Sequence, residues 1–293
     1  MGADSMSNLS WKIGDVTVTK IIESESELPL QGLMPMATPE IIESHSDWLK
    51  PHFIDEQGNC ILSIHALLIE SGGLKIVVDT CVGEHKIPGM ESMSVENNPF
   101  LKNISAAGFA RESVDIVLCT HLHFDHVGWN TMYQNGKVAP TFPNARYLFA
   151  NQEWEFWNRQ PSGPYTAAYE KTVKVVHEAG LVDLVEMNHQ ITDEVYLQPT
   201  AGHTPGHVSV CIESNGEKAF ITGDMTHHPV QWAETSWGID ADNDSEAAEK
   251  TRITVGEQYA DTKVLMIGTH YPSPTSGYLV TKGDHHIFKA SDS

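Results

Sequence analysis

Between His121 and His126 the chain reads His-Leu-His-Phe-Asp-His, three imidazoles and a carboxylate in six residues. Crowded this closely, the histidines would repel one another once protonated, and a divalent cation relieves that repulsion. Neutral imidazole and carboxylate are ordinary ligands for such an ion. His121 and His123 stand two apart and converge on one ion if the chain is extended there. Asp125 and His126 then face a second point. Other polar residues sit beside apolar runs. His203 lies in Gly202-His203-Thr204-Pro205-Gly206-His207, Asp224 follows the run at Ala219 to Ile221, His270 follows Val264 to Ile267, and Asp79 closes Leu74 to Val78. Metal-dependent chemistry is the first expectation.

Bringing these side chains together requires strands whose ends share one edge. Val114 to Cys119 is a short apolar run, so the His-rich stretch falls on the loop at its C-terminal end, where α/β sheets place their ligands. Trp11 to Ile22 reads as a strand or hairpin with Gly14-Asp15 as its turn. Ile61 to Ile69 and Leu74 to Val78 are strands about the turn Ser71-Gly72-Gly73. Ala145 to Phe149, Glu194 to Leu197, His207 to Ile212, Ala219 to Ile221 and Val264 to Ile267 are further strands. Helices are expected at Pro99 to Ala110, Gln152 to Trp157, Tyr165 to Gly180 and Ser245 to Tyr259. Glu23 to Asn59, with four prolines, reads as a long irregular segment, the kind that often serves as a lid. The alternation of strands and helices is that of an α/β chain. No linker divides it, so a single domain is expected over 11–293, behind a flexible N-terminus or cloning remnant at 1–10.

The set His121, His123, Asp125, His126, His203, Asp224 and His270 resembles the dinuclear ligand pattern of the metallo-β-lactamase superfamily. With Asp79 it covers most of the chain. The resemblance implies an αββα sandwich with the metals at one edge of the sheets. It implies that His121, His123 and His203 hold a first zinc, that Asp125, His126 and His270 hold a second, and that Asp224 bridges them. Asp79 would orient ligands from behind. Manganese, iron or cobalt fit the same donors. His207 reads as a structural residue of its turn, His65 as a core histidine, and His285-His286 as surface.

Asp224 is similar to the hydrolase branches of that family, since its true β-lactamases lack a carboxylate there. Quorum-signal lactonases of the family carry tyrosine three residues after the bridging aspartate. His227 stands there instead, which resembles the methyl parathion hydrolase group. His227 could then polarise a substrate oxygen or protonate a leaving group; the alternative is a supporting hydrogen bond. Asp125, Asp224 and His227 are the candidate catalytic residues, acting with a hydroxide shared by the two metals. The candidate pocket is apolar: Trp129, Tyr271, and the patch Leu28-Pro29-Leu30 with Leu33-Met34-Pro35-Met36, of which Leu30 and Met34 are singled out. That patch could serve as a lid or as a homodimer contact.

Composition narrows the partners. The 293 residues carry a formal net charge of −21. Such a chain is repelled by a phosphate backbone and by an anionic membrane surface, so neither nucleic acid nor membrane is an expected partner. The four cysteines are widely and irregularly spaced, and the opening residues show no basic region leading into an apolar run; a cytoplasmic protein is expected. The resemblance implies a zinc-dependent hydrolase for a small, neutral, fairly apolar lactone or ester, with phosphotriesters as promiscuous substrates. The rivals are a hydroxyacylglutathione-type thioesterase, which needs cationic residues that are scarce here, and an iron-dependent oxygenase or redox protein on the same ligands.

Overall fold

In the computed structural model, which describes residues 9–93 and 98–291, two β-sheets face each other across a layer of aliphatic side chains. The first half of the chain supplies β1 (Ser10–Ile13), β2 (Val16–Pro29), β3 (Asn59–Ser71), β4 (Leu74–Val78), β5 (Ile116–Leu118), a hairpin of β6 (Thr131–Gln134) and β7 (Lys137–Pro140), then β8 (Arg146–Ala150) and β9 (Val182–Val185). The second half supplies β10 (Val195–Pro199), β11 (Val208–Ser214), β12 (Glu217–Ile221), β13 (Leu265–Ile267), β14 (Ser276–Lys282) and β15 (His285–Ala290). The first sheet runs β1-β2-β3-β4-β5-β8-β9 and the second runs β10 to β15 in chain order. The expected N-terminal remnant lies, through residue 8, outside the described residues; Ser10 already pairs with Thr19 in β2.

Alternation in the strands creates the layers. Val16 and Val18 of β2, Leu67 and Ile69 of β3, and Ile76 and Val78 of β4 point inward to meet Val208, Val210 and Ile212 of β11 and Ile221 of β12. Residues of opposite parity point outward. On the first sheet these include Ile64, Ala66, Leu68 and Val77, which pack on the helices Phe100–Ala106 and Pro164–Glu178. On the second sheet, Cys211, Phe220 and Met266 pack with Val255 of the helix Ser245–Tyr259. The layers are therefore helix, sheet, sheet, helix, the αββα sandwich that the motif implies.

The segment read as irregular needs correction. β2 runs on to Pro29 and pairs with β3 as far as Asn59, with a register shift between Ile22 and Ser24. Ser24-Glu25-Ser26-Glu27 has low strand propensity, and its partner is β3, far along the chain. Nor is 28–36 a lid. Leu30 and Met34 are 0 % exposed and sit in the core with Phe53 and Trp232, and of the large apolar side chains in the segment only Met36 is largely exposed. The β6–β7 hairpin, with Asn135-Gly136 at its turn, and β14–β15, with Gly283-Asp284, are strands beyond those expected from the sequence. Both turns are ordinary hairpin signals. Among the described residues no helix is long and apolar enough to cross a membrane.

Candidate metal centre

The site stands where strand ends from both sheets meet. β5 ends at Leu118, and the chain turns through His121 and His123 into a single helical turn, Phe124–Val127, which carries Asp125 and His126. His203 lies in the turn between β10 and β11. Asp224 follows β12 and His270 follows β13. The two halves are tied where Val208 N–H donates to the Thr120 carbonyl at 3.0 Å.

Asp79 holds the first loop. It sits at the end of β4 with φ +59°, a left-handed conformation unfavourable for a residue other than glycine. The surrounding bonds compensate. Its N–H donates to the Leu118 carbonyl at 2.8 Å, and its carboxylate accepts from Thr120 N–H at 2.8 Å and from Thr120 Oγ1. Asp79 Oδ2 also lies 2.9 Å from His126 Nδ1. Gly128 N–H donates to the Cys81 carbonyl, and a Cβ on Gly128 would lie 1.9 Å from the Val82 carbonyl oxygen, so only glycine fits.

The expected ligands come together in one buried cluster. His123 Nδ1 is 3.0 Å from His121 Nε2 and 2.9 Å from His203 Nε2. Asp224 Oδ2 lies at the centre of a ring of imidazoles. Its neighbours are the Nε2 atoms of His227 and His270 at 3.1 Å, His126 at 3.2 Å, His203 at 3.6 Å and His121 at 3.7 Å. Asp125 closes the second group, 3.7 Å from His270 Nε2 and 3.8 Å from His126 Nε2. Four triads have donor atoms close enough to share an ion: His121 with His123 and His203; His121 with His126 and Asp224; Asp125 with His126 and His270; and His203 with Asp224 and His227.

The donor chemistry fits a divalent cation. Buried and without a hydrogen bond are Asp224 Oδ1 and His227 Nδ1, and the two ring nitrogens of His126 make only close contacts, with the Asp79 and Asp224 carboxylates. Leaving such atoms unpaired is costly, and a cation would engage His126 and Asp224. Burial, reinforced by neighbouring imidazoles, drives His121, His123 and His203 far below the usual histidine range, into the neutral ligand form. Burial also pulls on His126 and His270. There the nearby carboxylates outweigh it, Asp224 foremost, and both are raised. Burial opposes ionisation of Asp224, yet His126, His270, His227 and His121 together hold it well below the carboxylate range. Without metal the carboxylates thus favour protonation of His126 and His270, and a cation bound there would supply the same positive charge.

The outward ring nitrogens fix the imidazoles in place. His270 Nδ1 is 3.0 Å from the Ser63 carbonyl, and His121 Nδ1 is 3.1 Å from Thr120 Oγ1. His203 Nδ1 is 2.8 Å from Asp242 Oδ1, a fully buried carboxylate with Arg252 Nη1 3.8 Å from its other oxygen. In the sequence nothing distinguishes Asp242 from its acidic neighbours Asp240 and Asp244. His207 is structural, as expected, and its role is specific. Burial lowers it to about 4, so it is neutral; Nδ1 meets the Thr200 carbonyl and Nε2 accepts from Asp224 N–H at 2.8 Å. His65 is a core residue bonded to Ser63 Oγ.

The candidate pocket needs correction. Trp129 is 4 % exposed, stacks on Phe100 and donates Nε1 to Glu23. Tyr271 is 0 % exposed, its hydroxyl bonded to Thr226 and Trp232. Leu30 and Met34 are core residues, as described above. These apolar side chains found partners inside the sandwich. The cleft that reaches the centre, about 440 Å³, opens over His123 instead. Phe156, Trp157 and Tyr165 wall one side and Asp240 to Asn243 the other, with no lysine or arginine in the lining.

The sequence profile of the metallo-beta-lactamase superfamily matches residues 61–255. Among curated proteins, an RNase J-like protein of Methanocaldococcus jannaschii is 25% identical over 166 residues, 56% of this chain and 33% of that one. An N-acyl homoserine lactonase of Bacillus sp is 26% identical over 121 residues, 41% of each chain. The acyl-coenzyme A thioesterase MBLAC2 of Bos taurus is 26% identical over 190 residues, 61% of this chain and 63% of the relative. The chain thus spans between a third and under two thirds of these relatives' lengths. Two solved structures extend the likeness over nearly the whole fold. The dizinc quorum-quenching lactonase AidC has a TM-score of 0.79 at 21% identity, covering 98% of both chains. The hydrolase AbOPH has a TM-score of 0.80 at 23% identity, covering 99% of both.

Proposed function

The chain belongs to the metallo-β-lactamase superfamily, and from that premise we propose that it is a metal-dependent hydrolase with a dinuclear zinc centre. One observation carries the reading: a single buried carboxylate oxygen, Asp224 Oδ2, within 3.1 to 3.7 Å of five imidazole nitrogens. His121, His123 and His203 would hold one zinc and Asp125, His126 and His270 the other, with Asp224 within reach of both groups.

Zinc bound at these positions would supply Lewis acidity, lowering the pKa of a bound water to about 7 and polarising a carbonyl or phosphoryl oxygen. The chain's own residues orient the reactants and handle protons. Asp125, whose side chain is the more exposed of the two carboxylates, and Asp224 accept hydrogen bonds from the attacking water and set its direction. His227 stacks parallel to His270 with ring centroids 5.5 Å apart, and its Nε2 faces the centre. A proton held at that Nε2 passes to the leaving oxygen.

The substrate in this reading is a small, neutral, fairly apolar lactone or ester, with phosphotriesters as secondary substrates. The aromatic wall and the lack of cations in the cleft support it, as does the net charge of −21, which disfavours anionic partners such as nucleic acid. The lactonases among the similar proteins point the same way. Acyl-coenzyme A thioesterase activity ranks second. A relative of that kind supports it, but the described cleft offers no cation for the phosphates of coenzyme A. A cytoplasmic location belongs to the same reading, since Cys60, Cys81, Cys119 and Cys211 are free and buried. The test is a panel of lactones, aryl esters, thioesters and phosphotriesters assayed with zinc, manganese, cobalt or iron. Hydrolysis undiminished in His121→Ala or Asp224→Asn would sink the proposal.

A further inference from the structure

Glu153 is 1 % exposed and lies outside every candidate ligand group, yet its two oxygens join the loops that carry the ligands. Oε1 accepts from Leu122 N–H at 3.1 Å, between His121 and His123. Oε2 accepts from Gly206 N–H at 3.0 Å, three residues beyond His203. Oε1 also accepts from Trp157 Nε1 at 2.8 Å, and the Trp157 ring meets His123 edge-on at 5.5 Å while walling the cleft. The approach depends on glycine, because a Cβ on Gly206 would lie 2.2 Å from Glu153 N.

The two loops hang from different sheets. Leu122 follows β5 of the first sheet, and Gly206 precedes β11 of the second. The face formed by His121, His123 and His203 is therefore assembled across the sandwich. Its narrowest span, 2.9 Å from His123 Nδ1 to His203 Nε2, depends on how far apart those loops stand. One carboxylate bonded to both backbones sets that distance more rigidly than two independent bonds to flexible partners would.

We propose that Glu153 is a positioning residue of the metal centre, which fixes the spacing between the His121–His123 loop and the His203 turn and, through Trp157, couples that spacing to the cleft wall. The inference rests on the metal-centre reading. It predicts that disturbing Glu153 weakens metal binding more than it disturbs the fold.

The test uses the full chain, with Glu153→Gln and, as a control on the same helix, Glu155→Gln. Glutamine keeps an oxygen for Leu122 and Trp157 but turns an amide NH₂ toward the Gly206 N–H. Zinc affinity is read by competition with a chromophoric chelator, and site geometry by the absorption spectrum of the cobalt(II)-loaded protein. In Glu153→Gln, affinity at one of two zinc positions is expected to fall about tenfold or more. The cobalt spectrum shifts, and the zinc-induced rise in Tm shrinks. Glu155→Gln behaves as the unaltered chain does. Unchanged zinc affinity in Glu153→Gln overturns the inference, and so does an equal loss of Tm with and without zinc. If Glu153→Gln does not fold, Glu153→Asp decides, since it keeps the charge but is one methylene too short for both loops. Weakened zinc binding supports the inference there, and unchanged binding overturns it. Failure of the unaltered chain to bind zinc overturns the metal-centre reading and this inference with it.

Discussion

Asp242→Asn alters one atom behind His203 and should change two measurable quantities by different routes. Asp242 Oδ1 is 2.8 Å from His203 Nδ1, and the carboxylate is fully buried. A hydrogen bond to a charged acceptor contributes about 1.5–3 kcal/mol and a neutral one about 0.5–1.5 kcal/mol. The difference, about 1.5 kcal/mol, is roughly tenfold in zinc affinity. The second route runs through Arg252, 1 % exposed, with Nη1 3.8 Å from Asp242 Oδ2. Removing one partner of a buried pair costs about 3–5 kcal/mol. The low end applies here, because Arg252 also donates to the carbonyls of Thr235 and Met225. Zinc affinity is measured by chelator competition, and stability by urea unfolding with excess chelator. Asp242→Asn should bind zinc about tenfold more weakly and lose about 3 kcal/mol of metal-free stability. Adding Arg252→Met removes the unpaired charge but also the donors to the Thr235 and Met225 carbonyls, so it should restore at most part of the stability and none of the affinity. The reasoning is refuted if Asp242→Asn binds zinc normally, or if Arg252→Met restores the affinity.

His227→Phe should retain both zinc ions and lower kcat by about 10²–10⁴ for esters with strongly basic leaving groups. Esters whose leaving groups need no proton should lose far less, and equal losses would remove His227 from proton transfer. Acidification should unfold the metal-free protein. Burial lowers His65, His121, His123 and His203 far below the ordinary range and His207 and His228 to about 4, so below about pH 6.5 the unfolded chain binds more protons. His126 and His270 act oppositely: their raised values stabilise fully below about pH 6.5, and that contribution disappears as pH rises through them. The depressed group is larger, so Tm with excess chelator should drop between pH 7 and 5.5; a constant or rising Tm would contradict this balance. Glu23→Ala should cost on the order of 4 kcal/mol or more in urea unfolding. The substitution leaves Val82 N–H, Gly83 N–H and the indole of Trp129 without their shared acceptor. A change below about 1 kcal/mol would show that water replaces it.

Local pattern makes much of this molecule legible in its sequence. The alternation of strands and helices reads as an α/β chain and the αββα layering is implied by the resemblance of the ligand pattern, while the inward parity of Val16, Val18, Ile76 and Val78 is a finding of the structure. The ligand set was legible because all seven of its residues stand beside strand ends, on loops or a single helical turn, where an α/β sheet delivers side chains. Two hairpins, at Asn135-Gly136 and Gly283-Asp284, carried readable signals too. Ser24 to Leu28 did not, because its strand character comes from pairing with β3 rather than from its own residues.

What the sequence determined by itself was the donor chemistry and the fold class, since both follow from residue type and short spacing. Only the tertiary structure decided which apolar side chains border the cleft and which carboxylates stand behind the site. Trp129, Tyr271, Leu30 and Met34 had the right chemistry for a pocket, but burial is settled by what packs on the other side, and the core took them. Asp242 and Glu153 look in sequence like any other acidic residues. Their partners, His203 and the N–H groups of Leu122 and Gly206, lie 39, 31 and 53 residues away. Chain folding alone brings such pairs within hydrogen-bond reach, where burial makes an unshared donor costly and a shared carboxylate stabilising.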